Sequence, residues 1–367
     1  MNKLIFRKFT QDTLIFFTTS LLVMGLIVWT LQAVNYFDFV TEDGHGLKIY
    51  FLYSILSFPK IIHRIFPFIF FITLFYVIIS YEVRNELSIF WINGISKIVF
   101  VNRIILFSIF LMFFQILLGS YVSPTSQYKA RNYLKNSNID FFTSLIKEGK
   151  FINVVKDLTI FIEKKNKDGS YSDIFLDDST KKYSKMIYAK KGVLIDNKKE
   201  KIFRLTNGRV INNENSKINI FEFDQIDFNL QDFTSNTITV PKIQEISSIG
   251  LLSCFYNIKT VKFESFRCEE SLFKEIKQEL LKRFYKPIYI PLITIFCCFL
   301  IISSKNKLNY KKNKNLIFVF TFFLVVISEA SLRYSTFSNI SFYLYLIIPW
   351  ILILFSYFIF YKAVKNV

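Results

Sequence analysis

The chain has 367 residues, 52% of them hydrophobic and 19% aromatic, with a formal net charge of +18. Its mean hydropathy of +0.35 is too apolar for a water-soluble enzyme of this size and too polar for a protein lying wholly in a bilayer. Residues 1–122 carry 9 basic and 6 acidic side chains, residues 123–270 carry 24 and 19, and residues 271–367 carry 13 and 3. The basic excess therefore lies beside apolar runs, where flanks on membrane spans account for it without nucleic acid.

The first apolar run, residues 14–34, holds no charge and is long enough to cross a hydrocarbon core of roughly 30 Å. No small-x-small cleavage site follows it, so it reads as an uncleaved span. Residues 50–58 suggest a short outer helix, broken by Pro59 from a second span over 65–81. A polar interval over 82–97 precedes a third span at 104–122, which Pro124 is expected to stop.

From Ser123 to Glu270 long apolar runs give way to alternation of period two. Residues 158–163 and 172–176 flank an Asp168-Gly169 turn and read as a hairpin. Residues 188–195 and 201–205 flank Asn197, and Asn207-Gly208 marks another expected turn. Residues 218–230 alternate in three short registers, whose shifts suggest bulges. The pattern predicts an all-β, jelly-roll-like domain, with either a closed core or a side open to acyl chains. Residues 271–284 form a charged connector to a fourth span at 287–304, kinked at Pro291. A fifth span over 316–332 contains Glu329, and a sixth over 342–361 contains Pro349.

The expected organisation is therefore three spans in 1–122, a β domain in 123–270, and a connector with three spans in 271–367. Lys3, Arg7, Lys8, Arg84, Lys97, Arg103, Lys305, Lys307, Lys311, Lys312, Lys314, Lys362 and Lys365 all fall on one side of six spans. Short loops rich in Lys and Arg are cytoplasmic, which puts both termini in the cytoplasm and the β domain outside it.

The chain lacks a phosphate-cradling G-x-x-x-x-G-K-S/T loop, a nucleophile elbow and a His-carboxylate arrangement, so ATP hydrolysis of its own is excluded and no cofactor is expected. His45 and His63 have no ligand cluster at metal spacing, and Cys254 and Cys268 could pair outside the cytoplasm. Residues 82–97 suit either a short amphipathic helix at the membrane surface, with Glu86 exposed and Gly94 as its stop, or a solvated loop. Glu329 and Arg333 are four apart, so they form either a self-satisfied ion pair or a site facing a ligand headgroup.

Several segments resemble the LptF/LptG permeases of lipopolysaccharide export. NELSIFWINGIS at 85–96 resembles the family's coupling helix, and YVSPTS at 121–126 resembles its exit from the third span. EGKFINVVKDLTIFIEKKNKDGSYSDIFLDD at 148–178 is similar to the opening of its jelly roll. FEFDQIDFNL at 221–230 leans toward the LptF half of the family rather than LptG, and QELLKRFYKP at 278–287 resembles its re-entry segment. The resemblance implies a non-catalytic permease subunit of the inner membrane, working with an LptB ATPase dimer, an LptG paralogue, LptC and lipopolysaccharide. It further implies that Glu86, Leu87, Phe90 and Gly94 couple to the ATPase, and that Arg333 and Glu329 meet the lipid headgroup. One departure is Gln32, Asn35 and Asp38 at the outer end of the first span, where family members often carry basic residues. The alternative of another class is a membrane-anchored envelope assembly protein whose β domain is a binding module.

Overall fold

The computed structural model describes the chain apart from residues 1, 38–46, 137–147, 156–157, 167, 181–182, 198–199, 215–216, 230–240, 256–267, 269, 303–304, 306–308 and 366–367. Asp38, His45, Lys307 and the end of the segment 221–230 lie outside the described residues. The chain forms two compact units: residues 1–33, 54–130 and 241–367 make a helical one, and residues 34–53 and 131–240 a second.

Six helices are long and apolar enough to cross a membrane. The first is α1 (Asn2–Tyr36) and the second α2 (Leu47–Val83), followed by the short α3 (Glu86–Ile92). α2 runs unbroken through Pro59 and Pro67, so the separate outer helix expected before Pro59 merges into the second span. α4 (Lys97–Leu117) passes through a π turn (Leu118–Val122) into α5 (Ser123–Asn136). Pro124 therefore does not stop the third span. It falls in the first turn of α5, and the carbonyl of Ser120, which an N–H at 124 would take in a regular helix, accepts from Ser248 Oγ at 2.6 Å.

The helical unit resumes at Pro241 with a 3-10 turn (Ile243–Glu245), followed by α6 (Ser248–Phe255), and a disulfide joins Cys254 of α6 to Cys268. The fourth span is irregular: α7 (Phe273–Leu280), a second π turn (Leu281–Tyr285), a 3-10 turn (Lys286–Ile288), then α8 (Tyr289–Cys298). The distortion expected at Pro291 occurs earlier, because Pro291 lies in the first turn of α8, where its missing N–H is not needed. α9 (Tyr310–Tyr334) and α10 (Asn339–Lys365) complete the set.

Burial separates inner from outer spans. The most apolar stretch of the fourth span is 72% buried and that of the sixth only 17%, so the fourth is central and the sixth offers its faces to lipid or to another protein. Near one end, Phe6 and Phe9 of α1 meet Phe90 of α3 and Phe100 of α4 edge-on or tilted, with centroids 4.8–6.3 Å apart. Such pairs contribute about 0.5–1.5 kcal/mol each beyond area burial, so this cluster anchors α3 to the spans.

The second unit holds one six-stranded antiparallel sheet: β1 (Lys150–Val155), β2 (Leu158–Lys165), β3 (Tyr171–Thr180), β4 (Tyr183–Asn197), β5 (Glu200–Glu214) and β6 (Lys217–Asn229). Each strand pairs with its chain neighbour, and both expected hairpins are present. Asn207-Gly208 is not a turn but lies in the middle of β5. Asn207 has φ +54, and a Cβ on Gly208 would lie 2.1 Å from the Tyr188 carbonyl, so the same residue types that favour turns here serve a close backbone approach.

That position belongs to a line crossing the sheet. Pairing lapses at Glu163, Asp173, Lys190, Asn207 and Asp224 while the register on either side stays constant. Asp173 also has positive φ, +52. On one side of the line Tyr171, Leu205 and Ile226 face the core; on the other, Ile174, Ala189 and Phe223 do. The alternation thus slips by one residue in β3, β4, β5 and β6 at the same crease. This explains the changing pattern in β6, where bulges were expected and none is found against β5. Leu176, Ile187, Phe203 and Leu205 are fully buried on the inner face.

Candidate functional site

The helical unit contains a cavity of about 620 Å³ bordered by the first, second, fourth and fifth spans. Its walls are apolar, with Val28, Ile65, Phe68 and Val325 among them, while its polar groups are Gln32, Arg64, Lys286, Glu329 and Arg333. Three cations thus face one carboxylate. Lys286 is almost fully buried and pairs with Glu329, whose side chain is half exposed. Of the two readings open for Glu329 and Arg333, the structure does not form the ion pair between them: an i,i+4 spacing permits that contact, but Lys286 is delivered to Glu329 from the distorted turn of the fourth span. Arg333 is exposed and makes no ion pair among the described residues.

Arg64 and Lys286 are site residues that sequence reasoning missed. Arg64 lies in the sequence between Pro59 and Pro67, and Lys286 directly precedes the apolar run of the fourth span. The available signal was that both are cations within segments long enough to span a membrane, where an ionisable group usually faces a protein interior or a ligand.

The second π turn places the residues around this cavity. Arg283 is fully buried within it. Its Nε donates to Glu279 Oε1 at 3.1 Å, Nη1 to the Ile246 carbonyl at 2.9 Å and Ser248 Oγ at 3.1 Å, and Nη2 to the Gln244 carbonyl at 3.0 Å. Ser248 in turn caps the Ser120 carbonyl freed by Pro124. One guanidinium therefore ties the chain returning from the β unit to the π turns of both the third and the fourth span.

The expected coupling segment is a helix, α3, entered through Asn85 at φ +61 and stopped at Asn93-Gly94, with Gly94 at φ +75. Leu87 and Phe90 are 1% exposed and hold α3 against the aromatic cluster. Glu86 is half-buried with Arg84 Nη1 at 3.8 Å. The outward face instead presents Ile89 and Ile92, exposed by 48% and 83%. The adjoining span ends are stitched together: Lys305 donates from its backbone N–H to Glu82 Oε1 at 2.9 Å and through Nζ to the Val83 carbonyl at 3.2 Å.

Six spans, four of which border a cationic, apolar-walled cavity, with a six-stranded sheet in the chain between the third and fourth, define a polytopic membrane protein of the permease type. The family model described as "Lipopolysaccharide export system permease LptF/LptG" matches residues 7–363. The chain belongs to that family, which implies the inner membrane as its location. It is also similar to the uncharacterized protein RP871 of Rickettsia prowazekii (strain Madrid E), 23% identical over 213 residues. That match covers 58% of this chain and 59% of the relative, so the chain spans less than two thirds of its length.

Proposed function

We propose that this chain is the transmembrane permease subunit, of the LptF kind, of an ABC transporter that extracts lipopolysaccharide from the inner membrane and passes it to a periplasmic bridge. The observation that carries the reading is the cavity's composition. Arg64, Lys286 and Arg333 outnumber Glu329 three to one between apolar walls, which suits an anionic headgroup bearing acyl chains. The chain is non-catalytic: an LptB dimer hydrolyses ATP and pushes on α3, with Glu86, Ile89 and Ile92 facing the ATPase, while Leu87, Phe90 and Gly94 hold the helix in place. An LptG paralogue completes the bundle, and LptC receives the lipid.

Both termini are cytoplasmic and the β unit periplasmic. The lysine-rich loops support this orientation, and so does the Cys254–Cys268 disulfide, since such bonds persist in oxidising compartments. The β unit shields acyl chains on the way out, because each methylene left in water costs roughly 0.8 kcal/mol. Its inner face is filled by its own side chains, so it must part to admit them.

The test is gentle purification of the tagged chain from its native membrane with mass spectrometry of what accompanies it. The expected companions are an ABC ATPase, a six-span paralogue and a lipid A glycolipid. Glu86→Lys should lower the recovery of the ATPase, and Arg333→Glu that of the glycolipid. The chain recovered alone, or with unrelated envelope proteins and no glycolipid, would instead favour a membrane-anchored binding module.

A further inference from the structure

The crease in the sheet leaves a cavity of about 660 Å³ on the face opposite the core. A cross-strand row borders it: Phe161, Phe175, Tyr188, Arg209 and Glu222, each directly opposite the next on neighbouring strands, and Phe151 on β1 extends the row beyond the cavity, opposite Phe161. The aromatic rings form a continuous platform, with Phe151 and Phe161 centroids 4.7 Å apart and Phe175 and Tyr188 4.8 Å apart. Arg209 lies over the Tyr188 ring at 5.4 Å.

Beside that platform runs the crease itself, and four of its residues, Asp173, Lys190, Asn207 and Asp224, line the cavity together with Glu222. Among the described residues none of these five side chains makes a hydrogen bond or an ion pair. Donors and acceptors alternate around the rim: carboxylates accept, lysine donates, and the asparagine amide does both. The charged lining of Asp173, Glu222, Asp224, Lys190 and Arg209 sums to −1, which disfavours a phosphate-bearing ligand.

We infer that this cavity binds a saccharide. A sugar ring presents a face of C–H bonds, which packs on an aromatic ring, and a rim of hydroxyls that each donate and accept. The aromatic platform answers the first and the uncommitted polar rim the second. A saccharide uses both at once and requires no net opposite charge from the lining. The site lies in the β unit, goes beyond the export reading and does not depend on it. The sugar is either a free glycan or the sugar portion of a glycolipid.

The test uses the full chain in phosphatidylcholine nanodiscs, with two probes followed by saturation-transfer NMR and calorimetry. One is the neutral oligosaccharide fraction released by mild acid from the host cell envelope; the other is intact lipopolysaccharide from the same cells. The informative variant is Asp173→Gly with Asn207→Gly. Both positions have positive φ, which glycine adopts freely, so the crease survives while two rim side chains vanish. The expected result is saturable binding of the oligosaccharide that weakens by about tenfold or more in the double variant, with an unchanged melting temperature. Tyr188→Ala should weaken it similarly by removing part of the platform.

If only intact lipopolysaccharide shows the tenfold loss, the site reads a glycolipid's sugar. If neither probe binds more weakly to the variants than to the parent chain, the inference is overturned. That failure is separable from failure of the export reading, because lipopolysaccharide would then still bind both forms alike and be lost in Arg333→Glu.

Discussion

Replacing Arg283 by leucine should detach the chain returning from the β unit from the two π turns that hold it. Four donated bonds of 2.9–3.1 Å disappear, to Glu279, Ile246, Ser248 and Gln244. Breaking a buried hydrogen-bonded charge network costs about 3–5 kcal/mol. Glu279 keeps Lys282 at 3.0 Å, so its carboxylate is not orphaned, which places the loss near the lower end, about 3 kcal/mol. Arg283→Lys keeps the charge but not the planar fork, and should lose about half as much. The assay is thermal unfolding in detergent micelles, where 3 kcal/mol corresponds to a drop of about 6 °C. Limited proteolysis should also open residues 242–248 in the leucine variant and not in the parent. A melting temperature within about 1 °C of the parent, with no new cleavage, would refute the argument that this guanidinium joins the segments.

Gly119→Ala should destabilise the third span, since its Cβ would sit 2.1 Å from His63 Nε2; overpacking of this kind costs about 1–3 kcal/mol. Combining it with His63→Ala should restore part of the loss, and a double-mutant cycle that shows simple additivity would remove the steric explanation. Ser248→Ala should cost about 1–2 kcal/mol by leaving the Ser120 carbonyl and Arg283 short of a partner, read by the same melting assay. In the sheet, Ser170 donates from its backbone N–H at 3.0 Å and its hydroxyl at 2.7 Å to Asp168 Oδ1, which holds that carboxyl below the usual carboxylate range. A depressed carboxyl stabilises the fold above its unfolded-state pKa, and the effect is lost as pH falls through the lower, folded value. The exchange protection factor of the Ser170 amide should therefore hold through mildly acidic pH and fall only below the ordinary carboxylate range. Asp168→Asn should lose that dependence.

Features that depend on local chain composition were legible in the sequence. Six long apolar stretches identify six spans because a span needs only length and few charges, both of which a chain states residue by residue. The hairpins at Asp168-Gly169 and Asn197 were legible for a similar reason, as the turn chemistry and the flanking alternation lie within a few residues. For α3 the periodicity left helix and solvated loop open, and only its stop at Gly94, which needs a residue that tolerates positive φ, was local enough to read. The family resemblance rested on such local segments, and the match over residues 7–363 bears it out.

Tertiary structure decided whatever depends on a partner distant along the chain. Pro124 looks like a stop because the sequence cannot show that Ser248, 124 residues later, will take the freed Ser120 carbonyl. A Glu329–Arg333 pair was one of two open readings because that neighbour is visible, whereas Lys286 reaches Glu329 only through a π turn and a 3-10 turn that shift the fourth span's helical phase. Asn207-Gly208 looks like a turn because positive φ serves turns and creases equally. Only the alignment of Asp173, Lys190, Asn207 and Asp224 across neighbouring strands shows which of the two was built. Periodicity reports which face of an element is apolar, but not what meets that face. The cavity between the spans and the creased face of the sheet were for that reason decided by the fold alone.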